Sequence, residues 1–146
     1  MRNLTYILIG MVSMFSLAQV SELRTIQHDG NNRQFFLYVP ASYNQDNATP
    51  VMFNFHGGGG TASAHLNYTS DMRNLAESEN FILVYPQASP DPSSNVNSWI
   101  DKAGSNKNDI YFIEAIFNNL NSIYNIDDSR VYACGYSLGG MFSYEL

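Results

Sequence analysis

Gly135-Tyr136-Ser137-Leu138-Gly139 is the stretch whose reading decides the fold of this chain. It follows Val131-Tyr132-Ala133-Cys134, a short β-prone run, and leads into Gly140-Met141, where a helix can begin. A strand that bends sharply into a helix leaves little room beside the bend, so the flanking positions call for glycine. The serine between them is then held above the sheet with its hydroxyl exposed. The amides of the new helix point toward charge developing on a substrate oxygen. Such a strand-to-helix elbow is a way to present a nucleophile. The pattern alone does not decide the matter, because with 10 glycines in 146 residues shuffled chains contain it roughly once in fifteen. A plain strand-to-helix turn is the competing reading, and the flanking strand and helix signals favour the elbow.

Upstream, His56-Gly57-Gly58-Gly59-Gly60 follows directly on Val51-Met52-Phe53-Asn54-Phe55, a short apolar run that reads as a buried strand. The tetrahedral intermediate of acyl transfer needs two N–H donors at its oxygen. The amide of Leu138 can supply one, and Gly58 or Gly59 the other, since bare backbone can approach a substrate closely. A flexible linker is the rival reading of four glycines, but it does not explain their position between a buried strand and a helix. The two motifs together predict an α/β-hydrolase fold, in which the triad runs nucleophile, acid, histidine along the chain. His56 precedes Ser137 and is therefore expected to brace the glycine loop through hydrogen bonds, beside Gly57, rather than to act as base. Gly135 and Gly139 permit the elbow. His28 and His65 read as surface residues. No histidine follows Ser137, and Glu145, the one carboxylate after it, is too near in sequence to be the triad acid.

The remaining chain supplies the frame. Leu23 to His28 and Arg33 to Val39 flank Asp29-Gly30, a hairpin signal. Phe81 to Tyr85 is another continuous apolar strand, of the kind covered on both faces in a parallel sheet. A helix is expected with Ser70 as N-cap, Asp71 in its first turn and Met72, Leu75 and Ala76 on one face. A second is expected from Asp109, with Ile110, Ile113, Phe117, Leu120 and Tyr124 forming an apolar stripe. Asp127-Asp128 reads as a turn before the strand Val131 to Cys134. The predicted order is a β-hairpin followed by a parallel βαβαβ sheet, with a helix starting at the elbow. Gln87 to Asn108 is a long polar loop that holds Trp99, the only tryptophan.

Composition narrows the function. The net charge is −6 and the seven basic residues are scattered, which disfavours nucleic acid as a partner. Met1-Arg2-Asn3 followed by the apolar run Leu4 to Leu17 and small residues at Ser16 and Ala18 reads as a signal peptide over residues 1–18. The run is shorter than the ~20 residues of a spanning helix, so no stable membrane anchor is expected, and the mature chain is expected to be secreted or periplasmic. Cys134 stands alone and reads as a small buried residue; the other possibility is pairing with a cysteine outside this chain.

At these residues the chain resembles secreted esterases of the polyhydroxybutyrate depolymerase and feruloyl esterase type. The likeness rests on His56 to Gly60, Val84-Tyr85-Pro86, Ser98-Trp99, Asn108 to Ile113, Tyr124 to Asp127, Arg130-Val131-Tyr132 and Gly135 to Met141. The resemblance implies hydrolysis of carboxylic esters, on a polyester or on feruloyl or acetyl groups of plant polysaccharide, with no metal and no organic cofactor. It implies Ser137 as nucleophile and Leu138 and the glycine loop as oxyanion donors. It also suggests Trp99 as a substrate-site residue, although a packing anchor is the other reading. Family domains run to about twice this length, with the triad Asp and His in the later part. Residues 19–146 are therefore expected to be the N-terminal part of a catalytic domain, folding poorly and lacking turnover by themselves. A serine peptidase of the same fold and an inactive truncated product are the alternatives.

Overall fold

The computed structural model describes residues 21–99 and 109–146. The expected signal peptide and the end of the Trp99 loop lie outside the described residues. Five strands, β1 (Glu22–His28), β2 (Asn31–Tyr38), β3 (Thr49–Phe55), β4 (Ile82–Pro86) and β5 (Ile126–Gly135), form one sheet in the order β1-β2-β4-β3-β5. The hairpin β1–β2 turns at Asp29 and Gly30, whose φ values of 49° and 73° are those of a primed two-residue turn. β2 joins β4 antiparallel, and β3 pairs parallel with both β4 and β5. The later strand β4 thus lies on one side of β3 and β5 on the other, which puts the strand leading to the glycine loop beside the strand leading to Ser137.

Helices cover both faces, and this is why β3 and β4 are continuously apolar from Val51 to Phe53 and from Ile82 to Tyr85 rather than alternating. On one face Phe35, Leu37, Val51, Phe53, Phe55, Ile82 and Val84 pack with Phe112, Ile116 and Leu120 of α3 (Asp109–Asn121), and with Trp99 and Phe142. On the other, Tyr38, Leu83 and Tyr85 meet Ala62, Leu66 and Ala76. These three residues come from a short α1 (Ala62–Ala64), the π-helical turn His65–Thr69 that continues it, and α2 (Arg73–Glu79). α4 (Leu138–Phe142) follows the elbow. Among the described residues no helix is long and apolar enough to cross a membrane.

Several local expectations need correction. α2 starts at Arg73 instead of just after Ser70, because the Ser70 amide donates to His65 O at 2.8 Å and closes the π-helical turn. Asp71 still serves the helix start, accepting from Arg73 N at 3.0 Å, whereas Leu75 faces solvent. On α3 the buried face is Phe112, Ile113, Ile116 and Leu120, and Ile110 is exposed. Ile110, Ile113 and Phe117 instead line an open groove of about 360 Å³ with Val131 and Tyr132 of β5. Asp127-Asp128 is a bulge within β5 rather than a turn before it: pairing jumps from Thr49↔Ile126 to Val51↔Val131. Asp127 Oδ1 stabilises that bulge by accepting from Ser129 N at 3.0 Å.

Candidate active site

Ser137 has φ 50° and ψ −119°, a strained conformation for a residue with a side chain, and is exposed. Strain of this kind persists only where the surroundings impose it, and the two glycines show how. A Cβ on Gly139 would lie 2.3 Å from Phe55 O and 2.5 Å from His56 O. A Cβ on Gly135 would lie 2.5 Å from the Gly139 carbonyl carbon and 2.8 Å from Phe55 O. The start of α4 is therefore pressed directly onto the backbone at the end of β3. The Tyr136 amide, donating to Phe55 O at 3.0 Å, holds it there. With the backbone so fixed, residue 137 is pushed outward at the top of the sheet.

The glycine loop meets this elbow from the side. A Cβ on Gly57 would be 3.0 Å from Tyr136 Cδ1 and 3.5 Å from Ser137 Cβ, and one on Gly58 would be 3.4 Å from Leu138 Cδ2. Gly57 to Gly60 close a turn through Gly60 N–H donating to Gly57 O at 3.1 Å, with Gly59 at φ 71°. The two amides expected from this loop differ in status. Gly59 N–H already donates to Asn97 O at 2.8 Å, whereas Gly58 N–H and Leu138 N–H have no acceptor among the described residues. Ser137 Oγ likewise has no hydrogen-bond partner among them.

His56 is buried beneath the loop. Its Nδ1–H donates to Gly57 O at 2.7 Å, and its Nε2 accepts from Ala88 N–H at 3.1 Å, which fixes the tautomer. Burial pushes its pKa down, outweighing the opposing pull of the Gly57 carbonyl, so the ring is neutral. With both nitrogens occupied by backbone, His56 cannot also take a proton from serine.

Trp99 is not where a substrate could reach it. It is fully buried, stacked on Phe142 at 5.0 Å and edge-on to Phe55 at 5.2 Å, and its Nε1–H donates to His56 O at 2.6 Å. Its apolar surface and single donor are both used in packing, so the substrate-site expectation is replaced by the packing anchor. His65, expected at the surface, is also buried: its Nε2–H donates to Asn54 Oδ1 at 2.8 Å, and burial drives its pKa down to about 4. His28 sits on the hairpin beside Asp29, half-buried against Phe112. Asp109, read from the sequence as a helix-start carboxylate, is buried and paired with Arg33 at 2.6 Å. Sequence reading missed Gln87, whose Oε1 accepts from Ala62 N–H at 2.9 Å. No group of His, Cys, Asp and Glu that could hold a metal occurs among the described residues.

No protein-family profile matches the chain. Over 122 residues it is 30% identical to a bifunctional acetylxylan esterase/xylanase of Neocallimastix patriciarum, covering 82% of this chain and 16% of that enzyme. Over 131 residues it is 29% identical to feruloyl esterase B of Thermothelomyces thermophilus, covering 88% of this chain and 44% of the relative. Over most of its length the chain is thus similar to feruloyl and acetylxylan esterases. Solved structures agree on the fold. The ferulic acid esterase of Anaeromyces mucronatus superposes with a TM-score of 0.59 at 20% identity, over 83% of this chain and 50% of that one. An S-formylglutathione hydrolase from Agrobacterium tumefaciens superposes with a TM-score of 0.67 at 19% identity, over 87% and 54%. These likenesses establish the α/β-hydrolase fold. The chain spans less than half the length of both curated relatives and about half of both solved chains.

Proposed function

We propose that this chain carries the nucleophile and oxyanion half of an exported serine esterase that releases feruloyl or acetyl groups from plant polysaccharide. The observation that carries the reading is the exposed Ser137, strained at φ 50°, with two uncommitted amides, Leu138 and Gly58, on the elbow and on the loop packed against it. In the reaction Ser137 Oγ attacks the ester carbonyl carbon, and the carbonyl oxygen takes up negative charge between those two N–H groups. The alcohol leaves, and water then hydrolyses the acyl-enzyme. None of the three histidines in the chain is disposed to serve Ser137, so the general base comes from outside these 146 residues. The names of the relatives support feruloyl and acetyl esters over a polyester, and nothing in the site favours peptide hydrolysis.

The test is made on the full-length protein. A fluorophosphonate should label it once, at Ser137, and Ser137→Ala should lose both the label and hydrolysis of feruloyl and acetyl esters. Labelling at another residue, or esterase activity that survives Ser137→Ala, would overturn the assignment.

A further inference from the structure

We propose that Asn97 is a positioning residue for the oxyanion site, gripping the glycine turn so that Gly58 is the amide turned to the substrate. The inference rests on the esterase reading above and adds to it a residue that reaches the reaction only through the loop.

The geometry is a two-point clamp. The Asn97 carbonyl accepts from Gly59 N–H at 2.8 Å, and its side-chain Nδ2–H donates to Gly60 O at 2.9 Å. The clamped segment is a four-residue turn, Gly57 to Gly60, closed by Gly60 N–H to Gly57 O at 3.1 Å. A positive φ, here 71° at Gly59, in the third position of such a turn is the type II arrangement. Type I and type II turns differ chiefly in the orientation of their central peptide, and with glycine at both central positions neither form is sterically excluded. Four glycines therefore leave the Gly58–Gly59 peptide free to flip unless something outside the turn holds it. The Asn97 carbonyl does so, because it engages the N–H of that same peptide.

Asn97 is itself delivered by a built structure. Residues 89 to 98 double back on themselves, with Ser98 N–H donating to Ser89 O at 3.1 Å and Asp91 N–H to Val96 O at 2.7 Å, and Pro90 bridges to Asn97. The Asp91 side chain accepts from Ser93 N–H at 2.8 Å and organises the tip. Two residues after Asn97, Trp99 is anchored in the core by its bond to His56 O, so the clamp is fixed at both ends. Holding the turn from one side by His56 and from the other by Asn97 sets where Gly58 N–H points before any substrate arrives. Donors held in advance spend no reorganisation energy at the moment of reaction.

The test uses full-length protein and compares Asn97→Ala and the isosteric Asn97→Asp, which puts an acceptor against Gly60 O. Three quantities are read: kcat and KM for an aryl ester, inhibition by an aryl boronic acid that mimics the tetrahedral intermediate, and Tm. A mis-set oxyanion donor should lower kcat by roughly 10–100-fold, below the ~10²–10³-fold of a lost one. KM should stay within about twofold and boronate affinity should fall in step with kcat. Hydrogen exchange on the unmutated protein should show Gly59 N–H protected and Gly58 N–H open, a result that does not depend on the variants folding. A fall in Tm with kcat and boronate affinity unchanged, a rise in KM alone, or an unprotected Gly59 amide would each overturn the clamp. An unmutated protein with neither fluorophosphonate labelling nor ester hydrolysis would sink the esterase reading itself, and the clamp's role in it.

Discussion

Replacing Gly139 with alanine probes the mechanical basis of the elbow. The added methyl would fall 2.3 Å from Phe55 O and 2.5 Å from His56 O, against an ordinary contact of about 3.4 Å. Both obstacles are backbone atoms of β3 and the residue after it, and Phe55 O is also held by the Tyr136 amide. Neither can rotate away as a side chain would, so α4 must retreat by about 1 Å. Overpacking of this kind costs about 1–3 kcal/mol, and the upper end applies where no side chain can yield. For a full-length domain of ordinary size that corresponds to a Tm lower by roughly 6–12 °C. The retreat also carries Ser137 away from the glycine loop, and a misplacement of ~1 Å costs about 10²-fold in rate. Differential scanning calorimetry and the second-order rate of fluorophosphonate labelling, both on the full-length protein, measure the two effects separately. A Gly139→Ala protein that melts with the unmutated one and labels at the same rate would refute the close-approach argument.

Gly58→Ala should behave in the opposite way. Its nearest neighbour would be Leu138 Cδ2 at 3.4 Å, so Tm should change little, while a methyl beside the donor amide should lower kcat by at least tenfold; a stability loss without a rate loss would contradict this. Trp99→Phe keeps an aromatic ring against Phe142 but leaves the buried His56 carbonyl without its donor. It should destabilise the full-length protein by about 1–3 kcal/mol in urea titration, and an unchanged midpoint would show that the indole N–H does not matter. Acid should weaken the fold through His65. Burial favours its neutral form, so the unfolded chain takes up the proton first, at its ordinary value of 6.5, and the folded one only at about 4. The stability from this residue is complete above pH 6.5 and lost as pH falls to about 4, amounting to about 3 kcal/mol at 1.36 kcal/mol per pH unit. His56 is shifted in the same direction by burial and adds to the loss. His65→Asn should flatten that part of the stability-versus-pH curve, and an undiminished slope would remove His65 as its source.

The local sequence determined the elements and the elbow. The mostly apolar run from Val51 to Phe55, the fully apolar one from Phe81 to Tyr85, the Asp29-Gly30 turn and the spaced glycines around Ser137 each constrain their own backbone, so they can be read without knowing the neighbours. Properties that depend on distant segments could not be read this way. Trp99 and His65 lie in polar stretches, yet both are buried, because Phe142 and the His56 carbonyl cover one and Asn54 receives the other. The stripe on α3 was visible as a period, but which side of it faced the sheet depended on where β5 lay. That Gly59 N–H is committed while Gly58 N–H is not turns on a hydrogen bond from Gly59 to the carbonyl of a residue 38 positions away in sequence, Asn97. Four consecutive glycines carry no side chains to set their own orientation, so only the packed loop beside them could decide which amide remains uncommitted.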